Sequence, residues 1–203
     1  DVLHFVVDTV RQPVTISHAL DDVAPLTEPV PDGGSTDDVT PTLVGTAPAN
    51  AVVTVREGSN VIGSVQADAN GNWSLALSEQ AEGAHTYTAH AQQYAGGAEV
   101  TAEFGLTIDV TSPSVPTIDS VGDDVGTQQV DLSQGASTDD TTPTIHGTGT
   151  AGELINIYDN GSLVGSTAVD ANGQWTYTVN PALEVEGEHE LTATGVDAVG
   201  NES

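Results

Sequence analysis

Thirteen side chains in this sequence stand out as candidate ligands for a hard cation. They are Asp21, Asp22, Asp37, Asp38, Asp109, Asp123, Asp124, Asp139, Asp140, Asp170, Asn172, Asp197 and Asn201. Most come as adjacent pairs or as Asp-x-Asn turns. Adjacent carboxylates repel each other unless something neutralises them. Calcium suits them, because it takes about six to eight oxygen ligands at flexible geometry. No single loop here supplies that many, so two loops and a linker would have to share an ion. Solvated acidic loops are the plain alternative.

The candidate ligands recur at a fixed interval. Ser35-Thr36-Asp37-Asp38-Val39-Thr40-Pro41-Thr42 returns as Ser137-Thr138-Asp139-Asp140-Thr141-Thr142-Pro143-Thr144, an offset of 102. Asp68-Ala69-Asn70-Gly71-Asn72-Trp73 returns at the same offset as Asp170-Ala171-Asn172-Gly173-Gln174-Trp175. Asp21-Asp22-Val23 matches Asp123-Asp124-Val125, and the offset widens to 104 at His85/His189. A period of that size marks tandem domains. Domain 1 is expected over 9–110 and domain 2 over 111–203, joined by a short linker that Pro113 and Pro116 stiffen. Residues 1–8 read as the last strand of a preceding repeat. That strand pattern, seen again over 99–109, has no counterpart at the end of domain 2. Its sheet edge is therefore expected to be open to a neighbour's residues 1–8.

The elements that position these residues are strands. Val52-Val53-Thr54-Val55 and Ile155-Asn156-Ile157-Tyr158 are rich in β-branched residues, and Trp73 to Leu77 and Trp175 to Val179 alternate. Turn residues punctuate them at short spacing, which predicts an all-β protein of two tandem Ig-like β-sandwiches. Sandwich loops sort to two poles. The Asp123, Asp124, Asp139 and Asp140 loops fall at the pole where the chain leaves domain 2, and the Asp170 and Asp197 loops at the pole where it arrives. Asp37, Asp38 and Asp109 would then meet Asp170, Asn172, Asp197 and Asn201 at the junction, with Asp109 the central ligand.

Composition narrows the partners. The 203 residues include 30 acids and two basic residues, Arg11 and Arg56, for a net charge of -28. A polyanion would be repelled, so nucleic acid is excluded. Membrane insertion is not expected either, since no stretch has the apolar length of a span. With no Cys, disulfides cannot stiffen a secreted form, and metal is the obvious candidate to do so. No leader precedes Asp1, so the chain reads as a segment of something longer. Enzymatic motifs are missing, and thirty acids make chance carboxylate pairs common.

The ordered motif set resembles the bacterial Ig-like repeat of giant adhesins exported by type I secretion, a group that includes biofilm-associated and large non-fimbrial adhesins. The set runs Asp109-x-Thr-x-Pro113, Asp123-Asp124-Val125-Gly126, Thr138-Asp139-Asp140-Thr141-Thr142-Pro143-Thr144-x-x-Gly147, Asp170-Ala171-Asn172-Gly173-x-Trp175, Glu186-Gly187-x-His189 and Asp197-x-x-Gly200-Asn201. The resemblance implies a secreted, cell-surface stalk of repeated sandwiches with Ca²⁺ at junctions and loops. Its implied partners are neighbouring repeats and, through the parent protein, a host surface or biofilm matrix. Low intracellular calcium would keep the chain loose for export. Domain 1 departs from the pattern at Gln93 and Gly97, where domain 2 has Asp197 and Asn201.

Other readings stay beside these. Asp68 and Asp170 first make hairpin turns, with ligation second. Asp21-Asp22 and Asp123-Asp124 suit a turn as well as an ion. Trp73 and Trp175 read as packing residues, with a sugar-stacking platform as the alternative. His85 and His189 read as caps of a turn. The rival function is a ligand-binding module recognising a glycan or receptor, within an adhesin or an extracellular enzyme.

Overall fold

A computed structural model describes residues 12–92, 98–126, 129–183 and 187–203. Residues 1–8, Gln93, Gly97 and Glu186, which carry expectations from the sequence, lie outside them. The chain divides into two compact units, Asp1–Val110 and Thr111–Ser203. Each is described by itself.

Unit 1 is a pair of sheets. One runs in the order β2 (Pro29–Val30), β1 (Thr15–Leu20), β4 (Thr42–Thr46), β7 (Asn72–Ala76). The other runs β3 (Gly34–Thr36), β9 (Glu99–Ile108), β8 (Gly83–Gln92), β5 (Val52–Glu57), β6 (Asn60–Gln66). Alternation along these strands sends one set of side chains inward. Leu43, Val53, Val55, Trp73, Tyr87, Phe104, Leu106 and Ile108 form the core between the sheets. All pairings are antiparallel except β3 with β9, which is parallel, with Thr36 opposite Ile108.

Unit 2 repeats the plan. One sheet runs β11 (Asp131–Leu132), β10 (Thr117–Gly122), β12 (Thr144–Thr148), β15 (Gln174–Thr178). The other runs β14 (Ser162–Ala168), β13 (Leu154–Asp159), β16 (Leu191–Val196). Ile145, Ile155, Ile157, Val169, Trp175 and Val179 form its core. The burial patterns of β5, β6 and β7 recur residue for residue in β13, β14 and β15. The expected all-β, Ig-like class is what the structure has.

The two Trp residues are core. Trp73 is 3% exposed and Trp175 2%, so neither presents a platform for a sugar ring, and the stacking alternative is corrected. Each indole lies over a glycine of the neighbouring strand. A Cβ on Gly45 would meet the Thr15 carbonyl oxygen and the Trp73 ring, and one on Gly147 would meet the Thr117 carbonyl oxygen and the Trp175 ring. This explains the glycine in Thr-x-x-Gly: backbone, glycine and indole fill one layer with no room for a methyl group.

Candidate metal site in the acidic loops

The Ser-Thr-Asp-Asp phrase builds the same hydrogen-bonded loop in both units. In unit 1, Thr36 donates its hydroxyl to Asp21 Oδ2 at 2.6 Å and accepts the Asp38 backbone N–H at 3.1 Å. Asp21 Oδ1 accepts the N–H of Val23, and Asp38 Oδ1 accepts both the N–H and the hydroxyl of Thr40. In unit 2, Thr138 donates to Asp123 at 2.7 Å and accepts from Asp140 N–H at 2.9 Å. Asp123 and Asp140 then repeat the turns onto Val125 and Thr142. Asp21, Asp38, Asp123 and Asp140 are all buried, and these donors stand in for the water they lose.

The second acid of each pair behaves differently. Asp22, Asp124 and Asp139 are exposed and Asp37 is half-buried. Asp139 sets its carboxylate against the backbone of Gly126, whose φ of +73° gives the turn that admits it. Asp109 follows β9, and its N–H donates to the Thr36 carbonyl at 2.9 Å. Unit 1 thus places Asp21, Asp22, Asp37, Asp38 and Asp109 in loops at one end of its sandwich. Unit 2 collects Asp123, Asp124, Asp139 and Asp140 at the corresponding end.

The Asp-x-Asn-Gly turns are self-contained. Asp170 Oδ1 accepts the N–H groups of Asn172 and Gln174, and Oδ2 accepts the Asn172 amide. Asp68 makes the same turn onto Asn70 and Asn72. These donors favour the ionised form. The Asn72 N–H leads in holding Asp68 below the usual carboxylate range, and the Gln174 N–H leads for Asp170. Asp197 is likewise enclosed: Oδ1 accepts from Val199, Gly200 and Asn201 N–H, and Oδ2 from the Asn201 amide at 2.8 Å. A carboxylate surrounded by its own turn has few lone pairs left for an ion.

Among the described residues, no three carboxylate or imidazole groups are grouped as a metal site. The donor chemistry is that of a hard cation, since the loops offer carboxylate, amide, hydroxyl and carbonyl oxygens and no sulfur. An ion at either loop cluster would need backbone carbonyls and water to complete its shell.

The histidines do more than cap a turn. His85 Nδ1 lies 2.7 Å from Glu57 Oε1, and His189 Nδ1 lies 2.8 Å from Asp159 Oδ2. Each pair ties the start of one strand to the end of its neighbour. Sequence reasoning missed these pairs, although both members recur, Glu57/Asp159 at offset 102 and His85/His189 at 104. It also missed Thr36 and Thr138 as the hinge of each acidic loop.

A search of curated proteins finds no match. Among solved structures, the chain is 19% identical to the BSP domain of a biofilm associated protein, over 93% of this chain and 28% of that one, with a TM-score of 0.32. It is 16% identical to the fibronectin(III)-like modules of Clostridium thermocellum CbhA, over 83% of this chain and 82% of that one, with a TM-score of 0.46. The chain therefore spans 28% of the first of these. The sequence profile of the bacterial Ig-like domain matches twice, over residues 30–110 and 112–203. The chain belongs to the bacterial Ig-like domain family and carries two of its repeats in tandem.

Proposed function

We propose that these two domains are a segment of the stalk of a secreted bacterial surface adhesin, stiffened by calcium at the acidic loops. The observation that carries this is the repetition of one Asp-Thr-Asp loop with two buried carboxylates, flanked by more accessible acids, at the corresponding end of both domains. Asp21, Asp38, Asp123 and Asp140 take hydrogen bonds from their own loops, and in this reading the acids beside them, Asp22, Asp37, Asp109, Asp124 and Asp139, face the calcium. Asp170, Asn172, Asp197 and Asn201 become accessory ligands at most, because their own turns occupy them.

Calcium bound only to the folded state adds RT ln(1 + [Ca]/Kd). At ten times Kd that is about 1.4 kcal/mol per site, and at a thousand times about 4 kcal/mol. Sites completed by carbonyls and water belong to the weak, extracellular range of about 10⁻⁴ to 10⁻³ M. Such sites fill outside the cell and empty inside it, which fits a chain that must pass an export channel before it stiffens. The role is mechanical, with no catalysis. Neighbouring repeats are the direct partners, and contact with a host surface or biofilm matrix falls to other parts of the parent protein. The buried tryptophans remove the aromatic platform that favoured a glycan-binding module.

Small-angle scattering tests the reading. The maximum dimension should grow and its spread narrow when about 5 mM calcium replaces chelator, well above the expected Kd. Identical curves in the two conditions would refute a calcium-stiffened stalk.

A further inference from the structure

The strand register of unit 1 sets the path that tension takes through it. β1 runs from Thr15, opposite Thr46, to Leu20, opposite Thr42. Asp21, the next residue, is hydrogen-bonded to Thr36, and Thr36 lies opposite Ile108, the last residue of β9. The start of β1 and the end of β9 are therefore at opposite ends of the sandwich. A pull on the chain from both sides of unit 1 acts along its strands. It drags β1 past β4 and β9 past its own neighbours, so paired positions are strained together instead of being unzipped one at a time.

The two loaded strands are unequally held. β1 pairs with β4 at five positions, broken by a bulge between Ile16 and His18, and with β2 at two. With Val14 just ahead of it, β1 buries one valine and, within the strand, only Ala19. β9 pairs with β8 at ten positions and with β3 at three, and it buries Phe104, Leu106 and Ile108. The larger apolar burial holds β9 in place, so β1 leaves first. The load then reaches β3, which runs parallel to β9. β3 is drawn toward one end of the sandwich and β9 toward the other, and the evenly spaced bonds of a parallel pair share that load. The contact is extended at both ends. Ahead of the first pair, Asp32 Oδ1 accepts the Gly105 N–H at 2.7 Å, and the Gly33 N–H donates to the Gly105 carbonyl at 2.9 Å. After the last pair, the Asp109 N–H donates to the Thr36 carbonyl.

We propose that unit 1 yields to tension in two stages: β1 and β2 pull out first, and the parallel β3–β9 pair then arrests the rest of the sandwich. The proposal takes its source of tension from the stalk reading and adds to it, because the segment gains length under load before it fails. Residues 15–31 are the length released. Extended at about 3.3–3.6 Å each, they give a step of about 5–6 nm, against about 30 nm for the whole unit. Forced unfolding is governed by the barrier to leaving the folded state, so the β3–β9 contact is read as the lifetime of the arrested intermediate.

Optical-tweezer pulling on the full chain, held at its two ends in chelator, tests this without any appeal to calcium. Unfolding of unit 1 should show a short step of about 5–6 nm, a pause and then a long step. Two changes assign the parts. His18→Cys with Val44→Cys places a disulfide across paired positions of β1 and β4; oxidation should remove the short step and reduction restore it. Asp32→Ala takes one bond from the β3–β9 contact, so it should keep the short step and shorten the pause severalfold. A single long step in the parent, a short step that survives the disulfide, or a pause unchanged by Asp32→Ala would each overturn the proposal. Those outcomes leave calcium stiffening standing, since that reading is tested by melting with and without the ion.

Discussion

The hydroxyl of Thr36 donates a 2.6 Å hydrogen bond to Asp21 Oδ2, and both residues are buried. This contact pins two acidic loops together at one end of unit 1, and Thr138 and Asp123 repeat it in unit 2. Thr36→Val keeps the shape and removes the donor. The Asp21 carboxylate then stays buried with one oxygen unpaired, and unit 1 should lose about 1–3 kcal/mol. Thr138→Val should lose less, because Thr138 is exposed and water can replace it. Calorimetry of the two variants checks this; equal losses would contradict it.

Gly147→Ala should destabilise unit 2 by about 1–3 kcal/mol or more, because neither the Thr117 carbonyl nor the Trp175 ring can retreat far. Gly122→Ala is the comparison, since a Cβ there meets nothing nearer than 3.6 Å. Its melting temperature should stay close to that of the parent. Trp175 fluorescence should report early unfolding in the first variant and not in the second.

The fold was readable because its signals are local and stated twice. Strand alternation, Asn-Gly turns and the 102 offset all agree, so the sandwich class follows from the sequence. The acidic loops were harder. Asp21 and Asp22 are equal in sequence, yet one is buried on a threonine hydroxyl and the other faces solvent. That difference is set by Thr36, fifteen residues away, through a loop crossing that no period reveals. The His85–Glu57 pair was hidden for the same reason, since its members meet only across neighbouring strands. Asp197 caps its own loop, and the sequence alone does not separate that role from ligation because turns and calcium loops use the same residues.

The hairpin carboxylates predict an acid limb. Asp68 and Asp170 are held below the ordinary carboxylate range by backbone N–H groups, so the unfolded chain binds protons first as pH falls. Their contribution is complete above the unfolded value near 3.8 and is lost as pH falls through the lower folded value. Asp170→Asn should flatten the dependence of the unit 2 melting temperature on pH below 4 and leave that of unit 1 unchanged. An unaltered slope in unit 2 would show that the turn does not sense its charge.

Asp109→Ala should weaken the response to calcium more than it weakens either domain. Its backbone bond to Thr36 survives the change. Chelator-only melting should therefore fall by less than the calcium-dependent rise in melting does. The calcium-induced increase in maximum dimension should shrink. A variant that extends as fully as the parent would remove Asp109 from the calcium set.

The most direct test of the account is the thermal melt of the parent chain in chelator and in millimolar calcium, with magnesium at the same concentration as the control. Calcium filling sites on the folded chain should raise both transitions, and magnesium should raise them far less because it holds its water and demands tighter geometry. Melts that coincide in calcium, magnesium and chelator would contradict a calcium-stiffened stalk.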